Sequence, residues 1–124
     1  MIVNLTQHAA SADQIAAGVV NLSPRDRARV ARWLTFDNCP GPNDIAWRAE
    51  CIADVADPGD APAPPRAAMI GGAPWLMGHL AAALRSKGIA PVFAFSARES
   101  MDVAQPDGSI LKTAVFRHLG WVDA

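Results

Sequence analysis

The residues best able to act on a ligand fall in three short runs: Asn4, Thr6 and His8; Gly71 and Gly72; Ser96 and Arg98. A Gly-Gly pair just before a helix lets a ligand come close to the backbone, and the helix start adds positive potential. The same pair also suits a tight structural turn. Pro74 withholds one N–H from that helix start, so such a cradle has fewer donors than a P-loop. An arginine just after an apolar strand can hold a phosphate through two hydrogen bonds. For Arg98 the alternative is an ion pair with Glu99 or Asp102. Ser96 can donate to a phosphate oxygen or cap a strand end. Asn4, Thr6 and His8 can polarise a hydroxyl or read a base, or Thr6 can simply end its strand. The ligand class these types suit is a phosphate-bearing small molecule.

Other chemistries lack their signatures. Neither G-x-x-x-x-G-K-[ST] nor G-x-G-x-x-G occurs, which removes the usual marks of an ATPase or a dinucleotide oxidoreductase. His8, His79 and His118 show no zinc-binding spacing, and His118 reads as a packed histidine. Cys39 and Cys51 make neither a disulfide framework nor a metal site and read as structural thiols. No metal or cofactor is expected. A hydrolase with Ser96 as nucleophile lacks a recognisable elbow or base partner.

Positioning these runs requires a particular set of elements. Residues 67–98 read as one βαβ unit: a buried strand Ala67–Ile70, the turn Gly71-Gly72-Ala73-Pro74, a helix from Trp75 to Lys87 closed by Gly88, and a strand Pro91–Phe95 ending on Ser96–Ser100. Parallel strands joined by a helix bring both strand ends and the helix start to one edge. Open α/β sheets bind ligands there. Upstream, Ile2–Thr6 and Val19–Ser23 form a weak duplication, each a short β-branched run leading to a helix. Ser11 with Gln14 is a capping box, and Ser23-Pro24 with Asp26 opens the second helix. Arg25, Arg27, Arg29 and Arg32 on that helix read as a solvated face. A third helix starts near Asn43 or Asp44. Residues 57–66 are too proline-rich for regular structure and read as a mobile surface loop inside one domain spanning 1–124. Beyond Ser100 the period becomes two around Pro106-Asp107-Gly108, which predicts a hairpin. Ile110, Lys112, Ala114, Phe116 and His118 share one face of it; Leu111, Thr113, Val115 and Arg117 share the other. Both faces mix apolar and polar groups, so the hairpin is expected to extend an edge or meet a partner chain. Trp75 and Trp121 suit the core, and Trp121 also suits a dimer contact.

The expected architecture is an α/β, Rossmann-like three-layer domain with a mostly parallel sheet and a C-terminal β-hairpin. The net charge of −1 argues against non-specific DNA or RNA binding. No signal peptide and no apolar run long enough for a bilayer is visible, so a cytoplasmic protein without membrane contact is expected.

The order of motifs resembles a known group. Asn4-Leu5-Thr6-Gln7-His8, a middle strand ending Gly71-Gly72, Pro91-Val92-Phe93-Ala94-Phe95-Ser96-Ala97-Arg98-Glu99, a Pro-Asp-Gly hairpin and Phe116-Arg117-His118-Leu119-Gly120-Trp121 follow in sequence. This resembles the small stand-alone CRISPR-associated ring nucleases and the related Rossmann-like CARF domains. The resemblance implies binding of a cyclic oligoadenylate second messenger, commonly across a homodimer two-fold, with slow metal-independent cleavage in some members. It implies ligand contacts at Gly71, Gly72, Ser96 and Arg98, joined by Thr6 and His8, with Ser96 and Arg98 in the catalytic role. Where relatives often carry paired threonines before the arginine, this chain has Phe95-Ser96-Ala97. Cleavage would proceed by attack of a ribose 2′-oxygen on the adjacent phosphorus. The rival expectation is a non-enzymatic interaction or mobile-element protein that docks a partner through its hairpin.

Overall fold

The computed structural model describes residues 1–57, 59 and 63–124. Its elements run β1 (Ile2–Asn4), α1 (Ala12–Ala16), β2 (Val19–Asn21), α2 (Pro24–Leu34), α3 (Pro42–Ala56), β3 (Ala67–Met69), α4 (Pro74–Ser86), β4 (Ala90–Ala104) and β5 (Ile110–Asp123). One five-stranded sheet has the order β2-β1-β3-β4-β5. The first four strands are parallel, and β5 returns antiparallel to β4. The expected α/β architecture with a mostly parallel sheet and a C-terminal hairpin is what the chain adopts.

Strand alternation divides the core. Val3, Leu5, Ala68 and Ile70 point to the face packed by Val30 and Leu34 of α2, Ile52 of α3, and Leu76, Leu80 and Leu84 of α4. Fully burying each such leucine is worth about 1.5–3 kcal/mol. The alternate positions Ile2, Val19, Ala67, Met69 and Val92 form a smaller cluster on the other face, with Ala10 and Trp121 against it. The helix-bearing layers are therefore unequal: α1 is only five residues long and buries none of them.

Helix ends follow the local sequence. Ser11 accepts from the Gln14 N–H while the Gln14 side chain accepts from Ser11 N–H, a complete capping box. Ser23 accepts from the Asp26 N–H, and Pro24 occupies the first turn where no N–H is needed. The end of α2 is capped from outside. Arg48 donates to the carbonyls of Trp33 (3.1 Å) and Thr35 (2.6 Å), is held by Asp44 (3.0 Å), and lies over the Phe36 ring at 4.1 Å. Lys87, just past α4, meets Asp54 of α3 at 2.8 Å, and that hydrogen bond raises the ammonium pKa.

One expectation needs correction. Ser96–Ser100 is not a polar terminus between a sheet strand and a separate hairpin, because β4 runs unbroken through it to Ala104. Among the described residues, only Ala90–Val92 pair with β3, and the rest of β4 pairs with β5 alone. Beyond a register shift at Phe95/Ser96 the two strands leave the sheet as a ribbon. Of the segment 57–66 read as a mobile loop, residues 58, 60, 61 and 62 lie outside the described residues. No helix among the described residues is long and apolar enough to cross a membrane.

Candidate functional site

In this strand order the chain leaves β1 towards β2 on one side and then crosses over β1 to β3 on the other. Such a divergence opens a crevice at the carboxyl ends of β1 and β3. A cavity of about 590 Å³ lies there, lined by residues 6–9, Gln14, Leu34, residues 69–73, Phe93 and Ala94. Its volume falls in the range of small-molecule sites.

The wall after β1 is built by Asn4, which is 3% exposed. Its amide nitrogen donates to the His8 carbonyl (2.8 Å) and to Asn21 Oδ1 (2.9 Å). Its Oδ1 accepts from the Thr6 N–H (2.9 Å) and the Thr6 hydroxyl (2.7 Å). Asn21 Oδ1 in turn accepts from the Ala10 N–H. Asn4 therefore makes its hydrogen bonds to the turn after β1 and to Asn21 at the end of β2, and it acts by holding the two together. Gln7 Nε2 donates to the Thr35 hydroxyl at 3.2 Å, tying the turn to the end of α2.

The opposite wall is Gly71-Gly72-Ala73 at the start of α4. A Cβ added at Gly71 would sit 3.6 Å from the Thr6 methyl carbon, so the two walls face each other closely. Gly72 has φ +153°, a conformation that side-chain-bearing residues rarely adopt. Among the described residues, no protein acceptor takes the N–H groups of Gly71, Gly72 and Ala73, nor those of Gln7, His8 and Ala9. Two runs of free backbone donors thus border one cleft, beside the N-terminus of a 13-residue helix. No lysine or arginine is among the lining residues.

Next to it, a second cavity of about 530 Å³ is lined by residues 36–40, Ile45 and Trp75. Trp75, in the first turn of α4, is 51% exposed and not the core aromatic that its apolar character allowed. It meets Phe36 edge-on with centroids 5.5 Å apart. Because Trp75 follows the cleft residue Ala73 by two positions, this aromatic pair stands near the cleft's rim.

The residue model of the group described as "Uncharacterized protein MJ1673 family" matches residues 1–122. The chain belongs to the MJ1673 family. No curated protein and no solved structure matches it.

In this MJ1673-family fold, the structure brings Thr6, His8, Gly71 and Gly72 together and places Asn4 behind them. Ser96 and Arg98 are not among the cleft's lining residues. They lie beyond the sheet edge on the ribbon, Ser96 opposite His118 and Arg98 opposite Phe116. The alternative of an Arg98 ion pair is also not what forms: Glu99 pairs with Arg117 at 3.4 Å, and among the described residues Arg98 has no carboxylate partner. His118 is packed, its ring centroid 4.5 Å from that of Trp121. Cys39 is exposed, while Cys51 lies on α3 with its thiol pKa raised by burial.

Sequence reasoning missed Gln7, Gln14, Leu34 and Phe93 in the cleft and the Phe36–Trp75 pair near its rim. Gln14 carries a signal, since a capping box after β1 fixes α1 against the same edge. Leu34 and Phe36 carry none, because their placement depends on the path of α2 across the fold. Among the described residues, no group of three or more His, Cys, Asp or Glu is placed to hold a metal ion.

Proposed function

We propose that the cleft of this MJ1673-family protein binds a phosphodiester ligand bearing nucleobases. A cyclic oligoadenylate, the ligand of the proteins its sequence resembles, is the proposed occupant. One observation carries the reading: free N–H groups of residues 7–9 and 71–73 border the same cleft, at a diglycine that lets a ligand approach. Such concavities favour phosphate oxygens even without a lysine or arginine. The adjacent Trp75 and Phe36 offer a stacking surface to a base, an interaction worth about 1–3 kcal/mol per base. Thr6 and His8 stand at the polar wall, where a ribose hydroxyl would lie.

Slow cleavage is compatible with this site. A ribose 2′-oxygen attacks the adjacent phosphorus in line, its proton passes to solvent, and the 5′-oxygen leaves and takes up a proton. The product end is a 2′,3′-cyclic phosphate. Backbone N–H groups stabilise the developing charge, and no positioned acid–base pair is required. Arg98 and Ser96 contribute in this reading only if the ribbon reaches over the ligand.

A thermal-shift titration with cyclic tetra-adenylate, followed by chromatography of the incubated ligand, tests the proposal. The expected result is a melting temperature that rises with ligand concentration, lost in Gly71→Ala and reduced in Trp75→Ala. Arg98→Ala reports whether the ribbon takes part in binding. No shift for the folded wild-type chain would refute the reading. A shift with intact ligand would make the protein a binder without turnover.

A further inference from the structure

Among the described residues, the apolar side chains of the β4–β5 ribbon have no layer packed over them. Eight consecutive cross-strand pairs, from Ala97↔Arg117 to Ala104↔Ile110, continue past the sheet. They extend roughly 25 Å at the usual rise per residue. A two-stranded ribbon alone in water is marginally stable and needs a further strand or a packed face. Of the fourteen large apolar side chains exposed among the described residues, nine lie on β4 and β5, and six of those are on the ribbon itself: Met101, Val103, Ile110, Leu111, Val115 and Phe116.

The total surface points the same way. The chain exposes 7677 Å², whereas a folded monomer of 13.1 kDa exposes about 6,400 Å². The surplus of roughly 1,300 Å² exceeds the ~800 Å² that each partner buries in an ordinary stable interface.

The register shows which face is unfinished. One face carries Met101 beside Val103, opposite Thr113 and Leu111, with Val115 next in line and the Glu99–Arg117 ion pair at its root. The other face also exposes Ile110 and Phe116, but it sets them among Arg98, Ser100, Asp102 and Lys112, whose polar groups keep that face hydrated. Lys112 and Arg117 on β5 disfavour edge-to-edge strand addition.

We propose that the Met101–Val103–Leu111–Val115 face of the ribbon packs against the same face of a second copy of this chain, forming a two-fold dimer. The interface is isologous, since one patch serves both subunits. Its apolar centre is the outer half of each ribbon, and the Glu99–Arg117 pairs lie at its rim. The dimer does not depend on what the cleft binds.

Sedimentation velocity of the 124-residue chain across micromolar to hundreds of micromolar concentrations tests this. The wild type is expected at twice 13.1 kDa. Leu111→Glu should weaken the dimer at least a hundredfold and sediment as a monomer with an unchanged far-UV spectrum. Val20→Glu, a charge placed at an exposed position on β2, should leave the dimer intact. Hydrogen exchange on undisturbed wild type gives a second readout: amides of residues 97–117 should exchange faster on dilution. A wild type that stays monomeric throughout overturns the proposal and leaves the ribbon to a different macromolecule. So does a folded Leu111→Glu chain that still dimerises, or ribbon exchange that does not change with dilution.

Discussion

Between Asn4 and Ala10 the side chains of Asn4, Thr6 and Asn21 join three backbone groups in one short network, whereas from Ala97 to Arg117 a row of apolar side chains is left uncovered among the described residues. The turn is finished by its own residues together with Asn21 and Thr35. What remains free on it is a set of backbone N–H groups at the cleft mouth, suited to an anion. The ribbon is held by cross-strand hydrogen bonds but lacks the third layer that would bury its side chains. The difference teaches how each region can serve function: the turn by holding a fixed shape towards a small ligand, the ribbon by being completed by a protein surface.

Substitutions on each side sharpen that contrast. Asn4→Ala removes a buried amide that makes four hydrogen bonds. The expected cost is about 3 kcal/mol, seen as a fall in melting temperature of roughly 10 °C. An exposed ribbon substitution such as Leu111→Glu should alter monomer stability by only about 0.5 kcal/mol or less. A similar loss from both, measured under monomeric conditions, would erase the distinction.

The two glycines come next. Gly72→Ala should cost about 1–2 kcal/mol, because a side chain at φ +153° is strained. Gly71→Ala meets only an ordinary 3.6 Å contact with Thr6 and should leave the melt nearly unchanged while narrowing the cleft. A thermal melt paired with a ligand titration separates the two effects.

The smallest expected effect concerns the thiols. Exposed Cys39 should be alkylated well before Cys51, whose thiol pKa is pushed up by burial and by neighbouring Asp54. Peptide mass spectrometry after brief iodoacetamide treatment reads the order directly; equal rates would mean that α3 opens readily.

Much of the frame was legible because it rests on local chemistry. Ser11 with Gln14, Ser23-Pro24 with Asp26, and Pro106-Asp107-Gly108 each satisfy neighbouring backbone groups, so their roles are written within a few residues. The two hairpin faces followed from period-two alternation and match the observed register. Ser96–Ser100 misled because serine, alanine and charged side chains look like a strand terminus, yet β5 supplies a full ladder from across the turn. The capping of α2 by Arg48 and the place of Leu34 in the cleft were invisible for a related reason: both depend on where α2 and α3 meet. The gathering of Thr6, His8, Gly71 and Gly72 was legible because parallel strands send their carboxyl ends to a common edge.

The central claim is that the switch-point cleft receives a phosphodiester ligand, and backbone amide NMR during titration with cyclic tetra-adenylate tests it most directly. Saturable shifts are expected, concentrated at residues 6–9 and 71–73 and at the Trp75 indole. An unperturbed spectrum of the folded protein, or shifts confined to residues 97–117, would contradict it.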